Sequence, residues 1–240
     1  MDELEHGLFG RLRRGAGPLW QSYVAHPFVG AIGTGQLGRA GFRRYLTQDY
    51  LFLIQFARAY ALAGYKSTAL ADLQAASTGL AAILAEMPLH VRLCAEWGLD
   101  EARMAAEPEA METVAYTRFV LDRGMAGDLL DLHVVLAPCV LGYAEIGARL
   151  AAGMAVDNPY AAWITAYAGK DYAAAARSAL ETLERLSRTF GWQGREAGLQ
   201  AEFNTAVRLE TDFWEMGWRE GGQLSPPNRV APAAPGSTNT

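Results

Sequence analysis

Cysteine is scarce in this chain: 240 residues include only Cys94 and Cys139, and no CxxC pair. That excludes a disulfide scaffold and a dithiol redox motif, and in a reducing cytoplasm Cys139 is expected to be a free thiol. Basic charge is also short, the net being −5, which argues against nucleic acid or an anionic membrane as a partner. The longest uncharged apolar run, about residues 133–144, falls short of the ~20 residues that a membrane helix needs. The opening, Met1-Asp2-Glu3-Leu4-Glu5-His6, is acidic where signal and transit peptides are basic, so the expected location is cytoplasmic. No Gly-x-Ser-x-Gly elbow marks a serine hydrolase. No segment alternates with period two between turn signals, so no sheet is expected, and no repeat of solenoid length stands out.

What is there reads as helix, with Gly and Pro as the punctuation. Helical patterns cover residues 4–23 (broken at Gly15-Ala16-Gly17-Pro18), 39–63, 70–98 (interrupted near Pro88), 109–122, 128–150, 172–190 and 196–219. A shorter helix carries Tyr160, Trp163, Ile164 and Tyr167. Residues 30–38 read as a glycine-rich loop without the strand or Gly-Lys-Ser/Thr of a phosphate site. Residues 99–108 read as a polar connection, and Arg123-Gly124 as a helix stop. The expectation is one all-α domain over residues 1–219, followed by a Pro-, Gly- and Ser-rich tail over 220–240 that cannot order itself.

Three residues sit oddly on these helices. Cys139 follows Pro138 inside a long apolar helix and shares a face with Tyr143, four residues on. Interior proline costs about 3 kcal/mol, so this stretch fits either a kinked core helix or a thiol aimed at a ligand. Asp49 lies on the apolar stripe of Phe42, Tyr45, Phe52, Leu53 and Phe56, where an ionised carboxylate needs a partner, a ligand or an exposed edge. Glu210 has Val207, Phe213 and Trp214 as helical neighbours, a setting that raises a carboxyl pKa and suits acid–base work. Tyr116, Tyr143 and Tyr167 are either satisfied core aromatics or the walls of a pocket for a flat heteroaromatic. For metal chemistry, Glu3-x-x-His6 has di-iron spacing and Glu86 lies four before His90, but the second Glu-x-x-His is missing. No metal is expected.

Taken in order, these pieces resemble the TenA/thiaminase II family of aminopyrimidine aminohydrolases over residues 20–218. The resemblance rests on Trp20-x-x-Tyr23-x-x-His26-Pro27-Phe28-Val29, Gly35-x-Leu37 and Phe42-x-x-Tyr45-Leu46-x-Gln48-Asp49-Tyr50. It continues through Ala115-Tyr116-Thr117, Pro138-Cys139-x-x-Gly142-Tyr143-x-Glu145-Ile146, Trp163-Ile164-x-x-Tyr167 and Leu209-Glu210-x-x-Phe213-Trp214. It implies a haem-oxygenase-like helical fold without haem, a homotetramer, and cofactor-free conversion of an aminomethylpyrimidine to hydroxymethylpyrimidine and ammonia, with thiamine as a further substrate. It further implies Cys139 as nucleophile, Glu210 as proton carrier at a ring nitrogen, and Asp49 as the partner of the ring's amino group and of Cys139. Tyr116, Tyr143 and Tyr167 would line the pocket. One position departs: Phe52 stands where many relatives carry a tyrosine. That leaves open a second reading, a pyrimidine-binding protein of the same fold with little or altered catalysis.

Overall fold

The computed structural model describes residues 7–221. Within them the chain forms eleven α-helices and no strand: α1 (Gly7–Ala16), α2 (Pro18–Val24), α3 (Pro27–Thr34), α4 (Arg39–Lys66), α5 (Leu70–Glu96), α6 (Glu101–Ala106), α7 (Met111–Ala126), α8 (Leu129–Ala151), α9 (Ala161–Ala168), α10 (Lys170–Phe190) and α11 (Glu196–Gly221). The expected all-α architecture is therefore present. Glu3, His6 and residues 222–240 lie outside the described residues. Glu220 and Gly221, expected in the tail, continue the last helix.

Four expectations need correction, each for a local reason. The glycine-rich loop is mostly α3. His26 caps it by accepting the Phe28 amide on Nδ1 at 3.2 Å, Pro27 occupies its first turn, and Gly35 ends it in the left-handed region at φ 74°. Pro88 does not interrupt α5; it is solvent-exposed, and the Leu84 carbonyl it deprives of an amide belongs to a residue that is itself exposed. Residues 99–108 contain α6, capped by Asp100, whose carboxylate accepts the Arg103 amide at 2.9 Å. Gly124 does not stop α7 but lies inside it, where a Cβ would meet the side chains of Leu62 and Leu132 at 2.9 Å.

The centre of the molecule is the packing of α4 against α5, α7 and α11, and of α8 against α9, α10 and α11. α8 begins with a capping box. Asp128 accepts the amides of Leu130 and Asp131 at 2.8 and 3.1 Å, and Asp131 accepts the Asp128 amide at 2.8 Å. Arg195 pairs with both carboxylates, fixing the start of α11 to the start of α8. The helix then passes through Pro138 without a break. Behind that proline, the Tyr23 hydroxyl donates to the Pro138 carbonyl at 3.2 Å, tying α2 to α8. Gly142 allows this approach, because a Cβ there would overlap the Tyr23 ring.

Candidate active site

A cavity of about 460 Å³ opens between α4, α5, α8, α9 and α10, within the ~300–1,000 Å³ usual for small-molecule sites. Its walls include Asp49, Phe52, Glu86, His90, Cys139, Tyr143, Trp163, Tyr167 and Tyr172. Among the described residues, no lysine or arginine lines it.

The oddly placed carboxylates are both interior. Asp49 is 4% exposed, not at an edge, and Glu210 is 2% exposed. Asp49 accepts the Tyr45 hydroxyl on Oδ2 at 3.2 Å, and the same oxygen lies 3.6 Å from His90 Nδ1. His90 Nε2 faces the Leu46 carbonyl at 3.1 Å. A carbonyl only accepts, so Nε2 carries the proton and a neutral ring presents Nδ1 to Asp49 as an acceptor. Burial favours that neutral ring by lowering the His90 pKa. Burial also pushes Asp49 up to about 7, against the pull of the Tyr45 hydroxyl, so near neutrality Asp49 has the proton to offer. Trp163 Nε1 donates to the Tyr45 hydroxyl at 3.2 Å and completes the chain.

Glu210 does not line the cavity. It stands behind Cys139, where its Oε1 accepts the Tyr116 hydroxyl at 2.8 Å. Burial pushes Glu210 up to about 8, with Asp49 adding to the rise and the neighbouring Tyr116 hydroxyl and Cys139 thiol opposing it. Burial pushes Cys139 well above the usual thiol range, reinforced by Glu210, Asp49 and Glu86 in that order. The thiol is therefore protonated near neutrality, with the Glu210 carboxyl as a close neighbour.

Of the residues expected to act together, Asp49, Phe52, Cys139, Tyr143 and Tyr167 share the cavity wall, while Glu210 and Tyr116 form the layer behind it. Phe52 contacts the Tyr116 ring at 5.0 Å and Phe213 at 5.7 Å between centroids, so it is the apolar seam between the two layers. Tyr143 and Tyr167 pack together at 5.0 Å, and Trp163 lies 4.6 Å from Tyr167. Sequence reasoning missed Tyr45, though it precedes Asp49 by one turn on the same stripe. It read Glu86 and His90 only as candidate metal ligands. Among the described residues no three His, Cys, Asp or Glu side chains converge in a metal-holding arrangement.

Known proteins resemble this chain over nearly its whole described length. It is 36% identical over 210 residues to the aminopyrimidine aminohydrolase of Halalkalibacterium halodurans, covering 85% of this chain and 92% of that one. A solved structure from a Silicibacter species, described as a TenA family transcription regulator, superposes with a TM-score of 0.85 at 43% identity, covering 90% and 99% of the two chains. A Shewanella denitrificans domain of unknown function with a heme oxygenase-like fold superposes at 0.71 with 15% identity, covering 88% and 92%. That likeness carries the fold alone, and the fold is haem-oxygenase-like, as the resemblance implied. Residues 14–220 match the TENA/THI-4/PQQC family, and the chain belongs to it.

Proposed function

We propose that this protein is a cofactor-free aminopyrimidine aminohydrolase of thiamine salvage, converting aminomethylpyrimidine to hydroxymethylpyrimidine and ammonia. The observation that carries this reading is a cavity wall that brings the Cys139 thiol together with Asp49 and Glu86, with no lysine or arginine among the described lining residues. Such a site repels anions and suits a flat, cationic heterocycle, and the H. halodurans relative is named for that substrate class.

The residues divide the work as follows. Asp49, oriented by Tyr45 and His90, hydrogen-bonds the ring's amino edge, and Tyr143 and Tyr167 pack on the ring. With Glu210 in its ionised form, Cys139 gives it a proton and the thiolate adds to a ring carbon; Glu210 passes the proton to a ring nitrogen. The protonated amine leaves the methylene as ammonia, taking the C–N electron pair, and water adds there as its surplus proton goes to a carboxylate. The ring nitrogen's proton then returns through Glu210 as the thiol is expelled, which restores both groups. With thiamine the same steps release the thiazole instead. Phe52 supplies shape but no hydroxyl to this sequence.

An ammonia-release assay over a panel of substituted pyrimidines tests the reading. Turnover of aminomethylpyrimidine that disappears in C139S supports it, and full activity in C139S would remove the nucleophile assignment. Tight pyrimidine binding without turnover in the wild type would instead establish the binding-protein reading that Phe52 leaves open. We also infer a cytoplasmic homotetramer. Leu70, Leu73 and Leu84 on α5 are 69%, 47% and 58% exposed, an apolar face suited to burial between copies, and light scattering measures the assembly.

A further inference from the structure

Glu86 takes no specific part in the steps above, yet it reaches the same cavity from a different wall. Asp49 comes from α4, Cys139 from α8 and Glu210 from α11, whereas Glu86 is on α5. Its Oε1 accepts the Tyr167 hydroxyl at 3.3 Å, and no lysine or arginine pairs with it among the described residues. His90, one turn later, is turned to Asp49 and Leu46. Burial and the neighbouring Asp49 push Glu86 up to about 7; a cation beside it would draw it back to the ionised form. A carboxylate built into an apolar wall with one hydroxyl donor and no cation lacks its counter-charge.

The substrate proposed above has a charged group beyond the ring, the aminomethyl nitrogen. In the proposed steps Glu210 and Cys139 handle the ring proton, and Asp49 is held by Tyr45 and His90. We propose that Glu86 binds the substrate's ammonium group, so that the cavity prefers a cationic aminomethyl substituent to the neutral hydroxymethyl of the product. The inference rests on the aminopyrimidine reading. Glu86 keeps the nitrogen fully protonated until the C–N bond breaks. The nitrogen then leaves as neutral ammonia with the bonding pair, and the ion pair that held it is gone. Product release follows from the same loss, since a hydroxyl offers Glu86 a hydrogen bond but no charge.

The test is Glu86→Gln, which keeps the side chain's shape and its bond to Tyr167. KM for aminomethylpyrimidine is expected to rise about tenfold to a hundredfold, as for loss of one charged hydrogen bond, with kcat changing less. Calorimetric affinity for hydroxymethylpyrimidine is expected to stay within about twofold, which also reports that the variant is folded. Glu86→Asp, keeping the charge on a shorter stem, recovers part of the KM loss. An unchanged KM, or equal weakening of both ligands, overturns the assignment. If wild-type protein neither binds nor turns over aminomethylpyrimidine, the functional reading itself fails, a result visible before any variant is made.

Discussion

Glu145 and Glu210 are both glutamates turned into the helical core, and the chain treats them in opposite ways. Glu145 lies six residues past Cys139 on α8. Its Oε2 accepts from Arg13 Nε at 3.2 Å, Arg13 Nη2 at 3.1 Å and Trp20 Nε1 at 3.0 Å. A bidentate guanidinium and an indole from α1 and α2 satisfy it completely, and its role is to fasten those helices to α8. Glu210 accepts the Tyr116 hydroxyl and has the Cys139 thiol as a neighbour. Among the described residues no lysine or arginine pairs with it, and burial lifts its pKa to about 8. A carboxylate that the chain pairs with arginine belongs to the architecture; one left with neutral donors beside a cavity is available for protons.

The difference between the two glutamates is tested most sharply at the Cys139 thiol beside Glu210. Cys139→Ser is expected to lower ammonia release by about a thousandfold or more, as for removal of a nucleophile acting as part of a unit, with helix content by circular dichroism unchanged. Glu210→Gln is expected to lower kcat by roughly a hundredfold or more, the usual worth of acid–base catalysis. The same variant has a stability signature. Glu210 is raised from 4.5 to about 8, so its contribution is complete below about pH 4.5 and is lost as pH rises through about 8. The Gln variant lacks that loss, and its stability relative to wild type therefore rises between about pH 4.5 and pH 8. Urea titrations at several pH values measure the difference, and a flat difference would remove the buried-acid reading of Glu210.

On the architectural side, Arg13→Ala leaves Glu145 half-buried without its cation and is expected to cost about 1–3 kcal/mol of stability. The kcat/KM of the folded enzyme should not change, which separates fastening from chemistry. The smallest effect is expected from Phe52→Tyr. A hydroxyl placed between the cavity and Tyr116 gives the ring or Glu210 one more donor, worth a few-fold in kcat. A loss of activity there would show that the apolar seam matters more than the missing donor.

Much of the candidate site was legible in the chain because its residues break the pattern of their own helices. Asp49 and Glu210 interrupt apolar stripes with the 3.6-residue period of α4 and α11, and Cys139 follows a proline inside α8. What could not be read depends on packing between helices. The layering of Glu210 behind Cys139 requires α11 to dock on α8. Glu86 acquires meaning only through Tyr167, 81 positions away. The α3 helix was hidden by its glycines, and only the His26 cap and the Gly35 left-handed end show where it starts and stops. Gly124 misled for the opposite reason: it is a glycine because Leu62 and Leu132 crowd it, not because the chain turns there.

The hydrogen bond from Tyr23 to the Pro138 carbonyl has a consequence for how the site comes into being. It joins residues 115 positions apart, and the Tyr116–Glu210 bond joins residues 94 apart. Contacts of such separation form only after the intervening loops have closed, late in assembly. Isolated helices of this chain would therefore hold the right residues and no reactive centre. Cys139 and Glu210 meet only when the last helix has docked on α8, so the proposed catalytic pair exists only in the completed fold.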